Sequence, residues 1–565
     1  MLNFTKEEPK ITIKAHLSRE YDTRLPSNVQ LHRVSSDVTC IAEGIDDDLN
    51  SFNATLIQAP TGFGKTHFII HEVLPKVIQT GGKMLLVSNR VAVSYQQKQE
   101  VMEMVDPSEV GCLTPKGVLK KTDFGPVKIM TLQALDLFLA TSEGEKYAKE
   151  VTVLVVDEVH YFIGDIAFNP NAARLIRVIA QLFNEATRIY MTATPEDVLT
   201  PLAEVENKVV RPLKERMGVR FSPLMLGQPP VIDLYQYKSD KYRSLPIRYF
   251  LRNDDLYRKI EESGEDKWLI FVPSKEQGAT LQETIGDDAM FISADSKGSD
   301  MWNQLLSEER LPCRVLITTS VLDCGVNIHD EALKHVVIPF EDQVTFIQAL
   351  GRVRFKDTPN FTLYAKAIDK KRLNGLMYRN RELLSLAVEI KKIGHYNSYV
   401  DRFRQEGDRS KMALLYLKYD GKYDFNELYH HKLRRQRQYY GQLAADIDQY
   451  GRSAFPRLVH QWLGQPDAYD DRNWLGYDNK EKEKQDLLGF LKLYDGRVLK
   501  DKEEQQKFSD TIHKYYEVIT GKKKRADRGS QYLKVAALNN CLEELAIEGC
   551  IVSEGSGKWS FTLKQ

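Results

Sequence analysis

The sequence predicts an α/β protein with two tandem parallel-sheet units and a mainly helical C-terminal region. Three observations predict this class. A phosphate-binding motif lies near the start, two separate stretches alternate apolar strand-like runs with helical patterns, and long charged helical patterns begin beyond Asp369. At 565 residues the chain is too long for one hydrophobic core, so two or three sizeable domains are expected.

The first element is a phosphate-binding loop at residues 59–66, with the sequence APTGFGKT. An apolar run before it predicts a buried strand and an apolar periodic run after it predicts a helix, which is the context the motif requires. The loop is expected to bind the phosphates of a nucleoside triphosphate through Gly62, Phe63 and Gly64, with Lys65 as a cation and Thr66 as a hydroxyl ligand of Mg²⁺. The alternative is a glycine-rich turn between a strand and a helix.

Apolar runs define the two sheet units, and their near-continuous hydrophobicity is typical of parallel strands covered on both faces. The predicted strands of the first unit are 54–57, 84–87, 127–130, 151–156 and 188–191, and those of the second are 268–272, 315–318 and 335–338. The predicted domains are an N-terminal extension (1–50), a first unit (51–215), a linker (216–266), a second unit (267–369), a helical accessory region (370–505) and a C-terminal module (506–565).

A carboxylate pair, Asp157 and Glu158, follows the most hydrophobic strand of the first unit. The carboxyl end of a parallel strand faces the same crevice as the phosphate loop. Asp157 is therefore expected to hold Mg²⁺, and Glu158 to orient and deprotonate an attacking water, while His160 couples this site to its surroundings. The alternative is a solvated strand end.

The C-terminal region carries weaker signals. A helical pattern at 535–548 and a predicted hairpin at 550–563 are compatible with a winged-helix module, or equally with a hairpin that packs on the preceding helices. Residues 432–440 interleave cations and aromatic residues, which suits phosphates and stacked bases, or equally a solvated helix face with buried tyrosines. The basic run 522–525 indicates a solvated loop, with a nuclear import signal or a nucleic-acid patch as the alternatives. His430 and His431 are expected at the surface, because no further His or Cys lies at the spacing of a metal ligand.

Composition excludes several classes of protein. The 79 Lys and Arg residues balance 79 Asp and Glu residues, so any nucleic-acid surface must be a local groove. The six cysteines lack zinc-site spacings, which indicates reduced cysteines of an intracellular protein. No leader-like segment or apolar segment of about 18 residues is present, so we expect a cytoplasmic protein with no membrane partner.

With these motifs in order, the chain resembles superfamily 2 helicases of the DExH type, with a DEVH box at residues 157–160. The resemblance covers about residues 55–366 and implies two RecA-like lobes. The further matching motifs are 88–90 with Gln97, 131–133, 192–195, 271–274, 318–328 and 348–354.

The resemblance assigns roles to residues in these motifs. Asn327 and Gly325 are implied to contact the nucleotide, and Gln348, Arg352 and Arg354 to act in catalysis with Asp157 and Glu158. The residues implied to bind nucleic acid are Arg90, Thr131, Gln133, Ser274 and Thr318.

The last motif departs from the family pattern, because Phe355 occupies the position of the family's second arginine and Arg354 comes one residue earlier. An arginine from the second lobe is needed to stabilise charge on the transferred phosphoryl group. On one helix, Arg352 and Arg354 would point about 200° apart. If the helix continues through this segment, Arg352 is expected to reach the γ-phosphate.

The sequence thus predicts an ATP- and Mg²⁺-dependent helicase or translocase that acts on nucleic acid, with DNA favoured over RNA. The resemblance implies 3′ to 5′ movement, and the C-terminal region is a candidate site for a protein partner. The alternatives are a duplex translocase subunit of a defence or restriction complex, an RNA helicase, and an ATP-switched clamp. A kinase or GTPase is disfavoured, because no Asn-Lys-x-Asp motif follows and the second unit has its own Gln-x-x-Gly-Arg.

Overall fold

The computed structural model describes residues 25–35, 38, 40–45, 49, 52–88, 91–105, 120–218, 230–238, 240–296, 299–319, 326–356, 358–520, 522, 524–526, 531–554 and 557–563. The side chains of residues 91–96, 478 and 479 are outside this description. The chain divides into two compact units. The first comprises Met1–Ile247 and Ile260–Tyr469, and the second comprises Arg248–Lys259 and Asp470–Gln565.

The first sheet has seven strands, and every neighbouring pair is parallel. Its order is β1-β7-β2-β6-β5-β3-β4. The central strands are buried on both faces, as their apolar sequences predict. The strands are β1 Val29–Arg33, β2 Ala54–Gln58, β3 Met84–Ser88, β4 Val127–Thr131, β5 Val153–Val156, β6 Thr187–Thr192 and β7 Ile232–Gln236.

Helices connect these strands, as parallel pairing requires. This sheet and its helices form the first lobe. Two of the helical segments are continued by π-helical turns, Ile69–Val73 and Glu206–Val210. The helices are α1 Lys65–Phe68, α2 Leu74–Gln79, α3 Val91–Met104, α4 Leu132–Leu139, α5 Ser142–Glu150, α6 Tyr161–Gly164, α7 Ala172–Leu182, α8 Leu199–Val205 and α9 Arg211–Arg216.

Two strands of this sheet come from outside the predicted first unit. β1 lies in the predicted N-terminal extension and β7 in the predicted linker. β7 pairs with both β1 and β2, so these two strands extend the sheet beyond β2, the strand that precedes the phosphate loop. The domain boundaries drawn from the sequence stay predictions. The first sheet begins before residue 51 and ends after residue 215, the limits of the predicted first unit.

The second sheet has the order β10-β11-β9-β12-β13-β8, and the pairs from β10 to β13 are parallel. It forms the second lobe with its helices, apart from Arg248–Lys259, which belong to the second unit. A short 3-10 turn, Ala294–Ser296, follows β10. The elements are β8 Ile247–Phe250, α10 Asn253–Glu262, β9 Lys267–Phe271, α11 Lys275–Ile285, β10 Ala289–Ile292, α12 Asp300–Glu308, β11 Val315–Thr318, β12 Leu333–Ile338, α13 Gln343–Leu350 and β13 Thr362–Lys366.

A mainly helical region follows, as predicted. Leucines of its two long helices share one hydrophobic core with the first lobe, so this part of the region is not a separate domain. Its elements are α14 Lys370–Ile393, α15 Tyr396–Glu406, α16 Arg409–Met412, the antiparallel pair β14 Leu415–Leu417 and β15 Tyr423–Phe425, α17 Glu427–Tyr450, the 3-10 turn Gly451–Ser453 and α18 Ala454–Trp462.

The C-terminal part of the second unit has its own hydrophobic core, built around Phe508, Trp559 and Phe561. Its three-stranded antiparallel sheet has the order β16-β18-β17. The helix-strand-helix-helix-strand-strand order is compatible with a winged-helix module, which stays a prediction. The elements are the 3-10 turn Asp471–Asn473, α19 Tyr477–Lys492, β16 Val498–Leu499, α20 Lys502–Thr520, α21 Val535–Glu544, β17 Gly549–Glu554 and β18 Lys558–Leu563. In the part of the chain described here, no helix is long and apolar enough to cross a membrane.

Candidate nucleotide site

The phosphate loop connects β2 to α1. Gly62 and Gly64 have φ angles of 85° and 79°, a left-handed conformation that glycine adopts without steric cost. Lys65 is only 7% exposed, and its Nζ donates to the carbonyl oxygens of Ala59 at 2.9 Å and Pro60 at 3.3 Å. The ammonium is therefore held against the loop, where it is placed to bind a phosphate oxygen.

Asp157 and Glu158 follow β5 directly. Asp157 accepts hydrogen bonds from the Glu158 backbone N–H at 3.0 Å and from Gln97 Nε2 at 3.1 Å. Glu158 has a φ of 52°, which is strained for a residue with a side chain and is a common feature of functional sites. The conformation turns the chain sharply at the end of the strand.

The pKa values of the two carboxylates are shifted in opposite directions. Burial, reinforced by the charge of Glu158, raises the pKa of Asp157. Burial also opposes ionisation of Glu158, but a hydrogen bond from His160 and the positive charges of Lys65 and Arg352 outweigh it and lower its pKa. Glu158 therefore stays ionised at neutral pH, as a general base must.

His160 links this pair to the motif at 192–195. Its Nδ1 lies 3.2 Å from Glu158 Oε2 and 2.9 Å from Thr192 Oγ1. Thr192 Oγ1 in turn accepts from the backbone N–H of Thr194 at 3.0 Å. His160, Thr192 and Thr194 are all buried. A chain of hydrogen-bonding side chains away from water therefore connects the Glu158 carboxylate to β6 and the loop that follows it.

The second lobe supplies two arginines just after α13. Helix α13 ends at Leu350, Gly351 and Arg352 form a turn, and Val353 forms a parallel bridge with Ile328. The charges of Arg352 and Arg354 both act on Glu158, so both guanidinium groups approach that carboxylate. Regular helix does not continue through this segment, so the condition on which the expectation for Arg352 depends is not met.

This segment contacts the phosphate loop. A Cβ atom added to Gly62 would lie 2.7 Å from Arg354 Nη1, and one added to Gly351 would lie 2.6 Å from Thr61 Oγ1. Arg354 Nε donates to Asn327 Oδ1 at 2.9 Å, which fixes the direction of its guanidinium. The arginines thus approach the loop and the carboxylates from the facing lobe.

Gln348 lies on α13 and is 3% exposed, yet neither atom of its side-chain amide has a hydrogen-bond partner among the described residues. A buried amide without partners is costly unless a ligand or water binds it. The unpartnered amide of Gln348 is therefore available to a ligand, and the catalytic role expected of the motif at 348–354 stays a prediction.

The residues at this site suit a magnesium nucleotide. Lys65, the two arginines and the loop N–H groups suit phosphate oxygens, while the Thr66 hydroxyl and the Asp157 carboxylate suit Mg²⁺. Among the residues that the structure describes, no cluster of three or more His, Cys, Asp or Glu side chains could hold a metal ion. A cation here would therefore depend on phosphate and water ligands as well.

The predicted nucleic-acid residues have local structural roles that leave their predicted role untested. Thr131 and Ser274 cap α4 and α11 through their side-chain oxygens. Thr318 is fully buried at the end of β11, and Gln133 is exposed. Capped helix N-termini are suitable places for a phosphate backbone. Arg90 and the nucleotide residue Gly325 lie outside the described residues.

Gln97 is a residue whose contact the sequence did not predict. It was assigned to the nucleic-acid motif at 88–90, but its amide donates to Asp157. The only feature of the sequence that could have indicated this contact is the position of Gln97 on the helix that follows the motif. The hydrogen bond gives the helix after the predicted nucleic-acid motif a direct contact with Asp157.

The basic and aromatic segment 432–440 lies on α17 and contacts both lobes. Lys432 Nζ donates to the carbonyl oxygens at the end of α6, Ile163 at 3.1 Å and Gly164 at 2.9 Å. Tyr439 Oη donates to the carbonyl oxygen of Glu341 in the second lobe at 2.5 Å. Lys432 and Tyr439 therefore bind protein backbone. Arg434, Arg437 and Gln438 are exposed and Tyr440 is buried, which agrees with a solvated face with buried tyrosines, while a role of this segment in nucleic-acid binding stays a prediction.

A phosphate loop, a carboxylate pair at the end of the neighbouring strand and arginines from a second parallel-sheet lobe define the class of two-lobed phosphate-loop ATPases. The family model described as "Type III restriction enzyme, res subunit" matches residues 19–197. In sequence the chain is similar to superfamily 2 helicases.

Similar proteins match part of the chain. The "U5 small nuclear ribonucleoprotein 200 kDa helicase" of Caenorhabditis elegans is 24% identical over 314 residues, which is 52% of this chain and 14% of the relative. The "ATP-dependent DNA helicase Hel308" of Pyrococcus horikoshii is 27% identical over 212 residues, 35% of this chain and 28% of the relative. The solved structure "DEAD-box helicase Mss116 bound to ssRNA and UDP-BeF" aligns with 66% of this chain and 90% of its own, at 12% identity and a TM-score of 0.42.

Proposed function

We propose that the chain is an ATP-driven motor that moves along or unwinds nucleic acid, with DNA favoured over RNA and movement from 3′ to 5′. The observation that carries the proposal is the contact of the motif at 348–354 with the phosphate loop, through Gly351 against Thr61 and Arg354 against Gly62. Because hydrolysis needs groups from both lobes, a strand bound across both lobes would stimulate it.

Each residue at the site has a defined task in this reaction. Lys65 and the loop N–H groups bind and orient the phosphates. Glu158, which is kept ionised, accepts the proton of the attacking water. Arg352 and Arg354 stabilise the charge that develops on the transferred phosphoryl group. Bound Mg²⁺ would add charge neutralisation at the phosphate oxygens.

The reaction is coupled to motion through His160. Loss of the γ-phosphate changes the charge around Glu158, and His160 contacts both Glu158 and Thr192. The loop after β6 therefore responds to the state of the nucleotide. The preference for DNA rests on the relatives named as DNA helicases, and the 3′ to 5′ direction on the resemblance to the DExH helicases. A cytoplasmic location and a protein partner of the C-terminal region are further parts of the proposal.

A second candidate is a duplex translocase of a restriction or defence complex. The observation that favours it is the match of residues 19–197 to the res subunit family of type III restriction enzymes. A translocase of this kind hydrolyses ATP on duplex DNA without separating its strands. A strand-displacement assay beside a triplex-displacement assay distinguishes the two candidates.

Two variants test the site itself. Lys65→Ala should lose nucleotide affinity and activity together, because it removes the cation of the loop. Glu158→Gln should still bind ATP but hydrolyse it at least about a hundredfold more slowly, because only the general base is lost. Near-normal turnover by Glu158→Gln would contradict its role.

A further inference from the structure

Phe355 is the residue at which the chain departs from the family pattern. Its ring packs among aromatic side chains, with centroids 6.0 Å from Tyr242 and 5.9 Å from Phe361. The arginine that the family has at this position would bring a positive charge. Here the position is occupied by an apolar ring, so any further cation at the phosphate loop must come from another segment.

Lys241 is such a cation. It lies in the connector after β7, and its Nζ is 4.6 Å from the centroid of the Phe355 ring and 5.6 Å from that of Tyr242. The same Nζ lies 3.9 Å from the point that a Cβ of Gly62 would occupy, and Arg354 Nη1 lies 2.7 Å from that point. Two cations from different segments thus approach one glycine of the phosphate loop.

We propose that Lys241 is a nucleotide-binding residue that contacts a terminal phosphate oxygen and supplies the positive charge that Phe355 does not. Phe355 and Tyr242 are then positioning residues, because their rings hold the ammonium over the loop through cation–π contacts. The inference rests on the proposed function, since it assumes that the loop binds a nucleoside triphosphate.

The electrostatics of the site support this assignment. Burial, together with the positive charge of Arg354, lowers the pKa of Lys241 to about 8. Like charges that are partly withdrawn from water repel each other, and an anion bound between them reverses the sign of the interaction. A terminal phosphate at Gly62 would therefore be attracted to both side chains and would raise the pKa of Lys241.

The position of Lys241 also has a consequence for coupling. The residue belongs to the connector that leaves the first sheet after β7, and Phe355 belongs to the second-lobe segment that carries Arg354. A phosphate bound by Lys241 would hold this connector at the phosphate loop, and its release would free the connector. ATP and ADP should therefore differ in their effect on Lys241, because the phosphate that Lys241 is proposed to contact is the γ-phosphate, which ADP lacks.

The experiment measures the affinity of the full-length chain for ATP, ADP and AMP by calorimetry, for wild type and for Lys241→Met, Lys241→Arg and Lys238→Met. Lys238 is an exposed lysine three residues away and serves as the matched control. Charge-assisted contacts of this kind predict that Lys241→Met weakens ATP binding about tenfold to a hundredfold. AMP affinity should not change, Lys241→Arg should recover most of the loss, and Lys238→Met should match wild type.

A second measurement needs no variant. Lys241 of the wild-type protein is labelled with an amine-reactive reagent and quantified by mass spectrometry, and ATP should slow its labelling while AMP should not. Unchanged ATP affinity in Lys241→Met, or labelling that ATP does not slow, overturns the inference. If wild type binds no ATP in any assay, the proposed function fails instead, so the two failures are distinguishable.

Discussion

A methyl group added at Gly351 should disrupt the contact between the two lobes at the phosphate loop. The Cβ of Gly351→Ala would lie 2.6 Å from Thr61 Oγ1, 3.0 Å from its Cβ and 3.1 Å from its Cγ2. Carbon atoms in contact are normally about 3.5–4.0 Å apart. Threonine is β-branched and stiff at χ1, so rotation of its side chain cannot relieve all three overlaps.

The size of the effect follows from this overlap. Overpacking of a well-packed contact typically costs about 1–3 kcal/mol. If that cost applies only when the lobes meet, kcat should fall by about 5- to 150-fold, because each 1.36 kcal/mol of barrier corresponds to a factor of ten. Binding of ADP should change less, since the first lobe alone supplies the phosphate loop.

The assay compares kcat and ADP affinity in wild type, Gly351→Ala, Thr61→Ala and the double variant. Thr61→Ala removes Oγ1 and Cγ2 but keeps Cβ, so it relieves part of the overlap with the added methyl group. Gly351→Ala should therefore lower kcat less in the Thr61→Ala background than in wild type. Gly441→Ala on α17 is the control, because nothing lies within 4 Å of its added Cβ. Wild-type kcat in Gly351→Ala would refute the reasoning, since it would mean that the lobes do not meet at this contact during hydrolysis.

Two further predictions concern the arginines and a buried carboxyl group. Arg352→Ala and Arg354→Ala should lower kcat to a similar extent, by about a thousandfold, because the charges of both act on Glu158, and a difference of more than about tenfold would favour a single finger. Burial raises the pKa of Glu196 to about 7 from 4.5, so the folded state binds a proton more tightly than the unfolded chain. The resulting stability is fully present below pH 4.5 and lost as pH rises through about 7. Glu196→Gln should therefore have a less pH-dependent Tm between pH 5 and 8, and parallel Tm curves would contradict this.

The phosphate loop and the carboxylate pair could be predicted from the sequence because their signals are local. Lys65 begins the helix that follows the loop after β2, and Glu158 follows the end of β5, so both lie where the loops after apolar parallel strands meet. Glycine at position 62 permits the left-handed φ that the loop has there.

The arrangement of the arginines could not be predicted in the same way. The end of α13 depends on a bridge between Val353 and Ile328, which are 25 residues apart in the sequence. Phe355 marked the departure from the family pattern, but only the fold brings Lys241 to its ring. Contacts between distant segments decide these features, and one sequence carries no direct signal of them.

The sequence predicts that the region after the second lobe is mainly helical, but it does not predict how these helices pack. The composition of α17 fits a nucleic-acid surface, a solvated face and a buried contact alike, because Lys and Tyr suit all three environments. The structure adds that Lys432 and Tyr439 bind backbone carbonyls of the first and second lobe, and a role of the exposed side chains of α17 in nucleic-acid binding stays a prediction. β1 and β7 were missed because their pairing partners are far away in the sequence.

The most direct test of the account is the ATPase rate of the full-length chain with single-stranded DNA, duplex DNA, single-stranded RNA or duplex RNA, at rising salt. The account predicts that at least one nucleic acid stimulates hydrolysis, DNA more than RNA, and that stimulation falls with salt, because the contacts are mainly to phosphates. Glu158→Gln should show no stimulated turnover under the same conditions. A wild-type rate that is the same with every nucleic acid would contradict the claim that this site drives a nucleic-acid motor.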